Sequence, residues 1–118
     1  MITALSAVTL ATRDMAAAVR FYRLCGFEML YGGESAGFTS FRAGQSFLNL
    51  IAQSTEWSWW GRAIFYDDDV DGLYRRLVAA GIRPQAPPRD AEWGERFFHV
   101  TDPDGHVIEL CSAPKCSD

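Results

Sequence analysis

The chain has 118 residues, 48% of them hydrophobic and 22% charged, with a formal net charge of −4. That size and balance predict one globular domain with a buried core, and the acidic balance speaks against a nucleic-acid partner, whose phosphates need a basic face. No apolar run approaches the ~18 residues of a membrane-crossing helix, and no basic residue precedes Arg13 as a signal peptide would require.

A first strand is predicted over residues 7–11. A helix follows, with Asp14 as N-cap and Gly26 as the left-handed residue past its end. Met15, Val19 and Tyr22 form its apolar stripe. Strands are predicted at 27–31, 38–42 and 46–51. Gly32-Gly33 reads as a turn, and Ala43-Gly44-Gln45 as the turn of a hairpin. An irregular linker, 53–60, carries Trp57, Trp59 and Trp60.

The next strand, 62–66, leads into a second helix capped by Asp69 and ended by Gly81, with Val70, Leu73 and Leu77 as its stripe. Strands are then predicted at 82–85, 96–101 and 106–111. Asp102-Pro103-Asp104-Gly105 is a strong turn sequence between the last two. Residues 86–95, with Pro87, Pro88 and Trp93, read as an irregular insertion. Asp14 and Asp69 stand 55 positions apart, and each precedes its glycine by twelve. The chain is therefore a duplicated unit. The predicted class is α+β: two tandem βαβββ modules, about 4–52 and 61–113, within a single domain 1–118. Their strands form a cleft-shaped mixed sheet with the helices on its outer face.

Two-residue alternation assigns the strand faces. One face of each strand set is apolar and should pack on a helix. The other should line a concave surface, with Phe38, Phe47, Ile51, Ile64, Tyr66, Phe97 and Val107 as apolar groups and Asn49, Arg62, His99 and Glu109 as polar ones. Arg62 and Glu109 lie on the two inner strands of one module and can pair. The pair is either structural or a grip for an anionic ligand group. His99 is an acid–base candidate or a hydrogen-bonded packing residue. His106, at the hairpin exit, is expected to be exposed.

The tryptophans Trp57, Trp59 and Trp60 carry a large apolar area that an interface, the core or a flat ligand must cover. Trp93 reads as a loop anchor. Cys25, Cys111 and Cys116 follow no zinc or disulfide spacing, and a reduced, cytoplasmic setting is expected. Cys25 and Cys111 read as small buried hydrophobes, Cys116 as exposed.

These pieces, in this order and spacing, resemble the vicinal oxygen chelate superfamily of glyoxalases, bleomycin-resistance proteins and dioxygenases. The resemblance rests on Asp14-Met15 through Phe21-Tyr22 to Gly26-Phe27, and on Asp68-Asp69-Val70-Asp71 through Leu77 to Gly81. Trp93-Gly94 and the run from Phe98 through Asp102-Pro103-Asp104-Gly105-His106 to Glu109-Leu110 complete it. In metal-dependent members, ligands come from the first and fourth strands of each module. Those positions here hold Ala7, Asn49, Arg62 and Glu109, and Glu109 alone matches. The resemblance thus implies the metal-free, bleomycin-resistance-like branch, with no cofactor and no metal.

It implies a homodimer that binds a small aromatic, cationic or amphipathic compound without chemistry, an antibiotic-resistance role. The candidate ligand-binding residues are Phe38, Phe47 and Asn49 in the first module, Trp57, Trp59 and Trp60 in the linker, and Arg62, Tyr66, Trp93, Phe97, His99 and Glu109 in the second. Two other readings stay open. One is a glyoxalase-like lyase or isomerase, or a dioxygenase-type enzyme, with an atypical site using His99 and Glu109. The other is a partner-binding module.

Overall fold

The protein is described here by a computed structural model, which covers residues 1–112. Its elements are β1 (Ala7–Thr12), α1 (Met15–Leu24), β2 (Glu28–Tyr31), β3 (Phe38–Ala43), β4 (Ser46–Ala52), β5 (Arg62–Tyr66), α2 (Val70–Ala79), β6 (Arg89–Asp90), β7 (Arg96–Thr101) and β8 (Val107–Cys111). They fall into two units, Met1–Trp59 and the remainder from Trp60. Each unit has one helix and one four-stranded mixed sheet, ordered β1-β4-β3-β2 and β5-β8-β7-β6. No helix among the described residues is long and apolar enough to cross a membrane.

Both helices start and stop by the same chemistry. The Asp14 carboxylate accepts from Ala17 N–H, and the Asp69 carboxylate from Gly72 N–H. Each pairing satisfies a first-turn donor that has no intrahelical partner. At the far ends Gly26 (φ +103°) and Gly81 (φ +90°) turn left-handed. Phe27 N–H then returns to Tyr22 O, and Ile82 N–H to Leu77 O, closing a Schellman motif in each copy.

That closure displaces one predicted strand and shortens another. Phe27 N–H is spent on the cap, so β2 begins at Glu28 rather than 27. The strand expected at 82–85 is absent. Ile82 N–H closes its cap, Pro84 has no N–H to give, and Gln85 N–H to His99 O is the one sheet-like bond there. The edge strand of the second sheet instead lies inside the expected insertion, as the two-residue β6 beyond Pro87 and Pro88.

The first core is aromatic. Tyr22, Phe27 and Phe41 meet pairwise with ring centroids 5.7 to 6.3 Å apart, and Leu48 and Leu50 are fully buried beside them. The β2–β3 connection packs closely: a Cβ on Gly32 would stand 2.2 Å from Phe38 O. The second core joins Val70, Leu73 and Leu77 of α2 to Phe98, Val100, Ile108 and Leu110. Arg96 at the start of β7 ties the sheet to α2, donating to both oxygens of Asp71 and reaching Asp90 at 3.2 Å.

Two measurements follow from this packing. Truncating fully buried Phe41 to Ala should cost about 3–5 kcal/mol in urea unfolding, whereas Asp14→Ala should cost about 0.5–2 kcal/mol through the lost cap. The hydrogen bond from Arg96, followed by its charge, holds the Asp71 carboxyl below its ordinary 3.8. The stability this contributes is present above the unfolded value and is lost as pH falls through the lowered folded one. In Arg96→Met, the Asp71 titration followed by NMR should move up toward 3.8.

Candidate functional site

The face of β5-β8-β7 turned away from α2 is where charge gathers. The register sets Glu109 of β8 beside Ile64 of β5 and His99 of β7. Arg62 shares the Ile64 face two residues earlier. His99 Nε2 lies 2.7 Å from Glu109 Oε1, and Arg62 Nε lies 3.4 Å from the same oxygen. Glu109 is only 9% exposed. A carboxylate so placed is costly unless it is paired, and here it is paired twice. An ionised carboxylate only accepts, so it is the His99 Nε2–H that donates to Glu109.

Beside this cluster is a cavity of about 470 Å³ lined wholly by residues of the second unit. Arg62, His99 and Glu109 form its polar floor, and Tyr66, Trp93 and Phe97 its aromatic wall. Trp93 stacks on Phe97 with the planes 21° apart, and its indole N–H donates to Glu95 Oε1 at 2.6 Å. Arg89 also faces the cavity, its guanidinium 4.7 Å from the Phe97 centroid. The Glu95 charge, with burial, the Cys111 thiol and a hydrogen bond from the phenol to Glu95 behind it, holds the Tyr66 phenol above its usual 10.0. Cys111, also on the wall, is pushed up to about 11 by burial, then by Glu95 and Glu109. Its sulfur is therefore a thiol at neutral pH and a poor nucleophile.

The structure gathers six of the expected residues at one site: Arg62, Tyr66, Trp93, Phe97, His99 and Glu109. Phe38, Phe47 and Asn49 sit on the first sheet, where Asn49 Nδ2 donates to Thr9 Oγ1 at 3.3 Å. Trp57 carries the Arg13 guanidinium 3.9 Å over its ring, while Arg13 also donates to Thr55 O. Trp59 is exposed. Trp60 Nε1 donates to His106 Nδ1 at 2.8 Å. This corrects the expectation for His106, which is buried beneath that indole with its own N–H on Asp102. Cys25 and Cys111 are buried thiols, and Cys116 lies outside the described residues.

Two site residues, Arg89 and Glu95, escape sequence reading because they fall in the segment read as an insertion. The usable signal was spacing: a short strand paired with β7 puts Arg89 opposite Phe97, and Glu95 follows the Trp93-Gly94 turn.

The donor set does not fit the divalent metal of metal-dependent glyoxalase-like proteins. Ala7 has no donor atom, and Asn49 is a neutral amide. Arg62 brings a permanent cation to the one carboxylate at the corresponding positions. Among the described residues, no three His, Cys, Asp or Glu side chains are grouped to hold an ion.

Comparison with known proteins agrees with the architecture. The pattern of the Glyoxalase/Bleomycin resistance protein/Dioxygenase superfamily matches residues 4–110, while none of the curated proteins matches the chain. Among solved structures, TioX from Micromonospora sp. ML1 is 26% identical, with 93% of this chain and 98% of that one covered and a TM-score of 0.75. A bleomycin-binding protein complexed with bleomycin is 23% identical, with 95% and 99% covered and a TM-score of 0.70. Lactoylglutathione lyase from Agrobacterium tumefaciens is also 23% identical, with 96% of each chain covered and a TM-score of 0.75. The bleomycin-binding protein and the lyase are each 23% identical to this chain, so the fold does not choose between them. Because the match runs through both βαβββ units, the chain belongs to the Glyoxalase/Bleomycin resistance protein/Dioxygenase superfamily.

Proposed function

We propose that this protein captures a small aromatic or cationic compound and lowers its free concentration by binding alone. The carrying observation is the second-unit cavity, whose 470 Å³ falls within the usual size of small-molecule sites, about 300–1,000 Å³. Its wall offers the faces of Tyr66 and Trp93 for stacking; both side chains are more than 60% exposed. Its floor holds charges already satisfied by one another, and its thiol stays protonated. Such a lining grips a ring and supplies no nucleophile. The bleomycin held by a protein of the same fold supports a drug-like ligand and a resistance role. A homodimer in a cytoplasmic setting belongs to the same proposal.

One observation favours a second reading. The His99–Glu109 pair, 2.7 Å apart, is the arrangement by which a carboxylate orients an imidazole for proton transfer. An enzyme of the lyase or isomerase kind would use His99 Nδ1 toward the cavity, and its substrate would emerge altered.

The direct test is a tryptophan-fluorescence titration against glycopeptide, aromatic and cationic drugs, followed by mass analysis of the recovered ligand. Saturable quenching with ligand recovered unchanged is expected. Absence of quenching at high micromolar ligand sinks capture, and a transformed ligand replaces it with the enzyme reading. In Trp93→Ala the Kd of a quenching ligand should rise about tenfold, the loss of one stacking partner. Iodoacetamide at pH 8 should leave the Cys111 peptide unmodified in the folded protein and alkylate it in urea. Rapid labelling of the folded protein would restore a thiolate to the site.

A further inference from the structure

The charges around the cavity are not equally satisfied. Glu109 has both His99 and Arg62. Glu95, by contrast, accepts from the neutral Trp93 indole, lies near enough to the Tyr66 phenol to hold its titration up by charge, and forms no ion pair among the described residues. Its negative charge is therefore held in place without being neutralised, between two aromatic side chains that are mostly exposed. Carboxylate and π faces together attract a cation, the first by charge and the second by the ring quadrupole.

The same wall already holds one. Arg89, cross-strand from Phe97, lays its guanidinium 4.7 Å from that ring and forms no ion pair among the described residues. The aromatic wall thus accommodates a cation within the protein itself. Arg89 is also a resident positive charge that any incoming cation must approach.

Resting on the capture reading above, we propose that Glu95, Tyr66 and Trp93 form a subsite for the ammonium group of the ligand, and that Arg89 weakens that binding by repulsion. The ligand class is an aryl-alkyl amine or quaternary ammonium: a ring against Trp93 and Phe97, with its cation on Glu95. The Glu109 cluster makes a poor alternative, because an ammonium there would compete with Arg62 for a carboxylate that also holds His99.

The two charged residues act in opposite directions, which a merely structural role for either would not produce. The probe is benzyltrimethylammonium, with benzyl alcohol as neutral and phenylacetate as anionic comparators. Binding is read from the Trp93 indole N–H resonance. The cation is expected to bind about tenfold more tightly than the alcohol. Glu95→Gln, which keeps an acceptor for the indole, should erase that preference, and Arg89→Ala should tighten the cation about threefold.

A second readout needs no variant that binds poorly. Bound benzyltrimethylammonium, charged at every pH, should offset Glu95 and bring the Tyr66 titration down toward 10.0, as Glu95→Gln does without ligand. Equal binding of cation and alcohol overturns the ammonium subsite and leaves capture standing. An unchanged preference in Glu95→Gln does the same. Silence of the Trp93 resonance to all three probes at millimolar concentration overturns both.

Discussion

A carboxylate buried on the face of a sheet must be given a counter-charge, and the second unit is arranged around that requirement at Glu109. The parallel pairing of β5 with β8 brings Arg62 within 3.4 Å of it, and the antiparallel pairing of β7 with β8 brings His99 to 2.7 Å. Both partners approach the same oxygen. Once those charges answer one another, the rest of the face can be aromatic, and the cavity becomes a place for rings rather than for an ion.

The duplication sets the same positions side by side with different residues in them. Asn49 holds in the first sheet the position of Glu109 in the second. Its register partners Thr9 and Ser40 correspond to Ile64 and His99. Ala7 corresponds to Arg62. One copy keeps a neutral set, Thr9, Ser40 and Asn49, that needs no counter-charge. The other keeps a charged set that does. The same three-strand register thus carries two electrostatic outcomes, which is how this fold serves as a scaffold for unlike functions.

Much of the fold could be read directly from the chain because its signals are local. A cap, a left-handed glycine and a stripe of three apolar residues lie within a few turns of one another, and both helices follow from them. The pairing of Arg62 with Glu109 was legible because the repeat acts as a ruler between copies. Where reading failed, distant backbone groups decided. Residues 82–85 look like a strand until Ile82 N–H is seen to close the α2 cap and Pro84 to offer no donor. His106 looks exposed at a hairpin exit until the Trp60 indole covers it and donates to its ring.

The sequence by itself determined two βαβββ copies and the positions of the polar residues on the strand faces opposite the helices. Those are properties of residue identity and periodicity, which need no partner from elsewhere in the chain. Only the tertiary structure decided that Tyr66, Trp93 and Phe97 share one cavity, that Arg89 and Glu95 belong with them, and that the Trp60 indole is spent on His106. Such groupings depend on strand register and on where a loop folds back. Both are set by the summed packing of a whole sheet, not by any short stretch of residues.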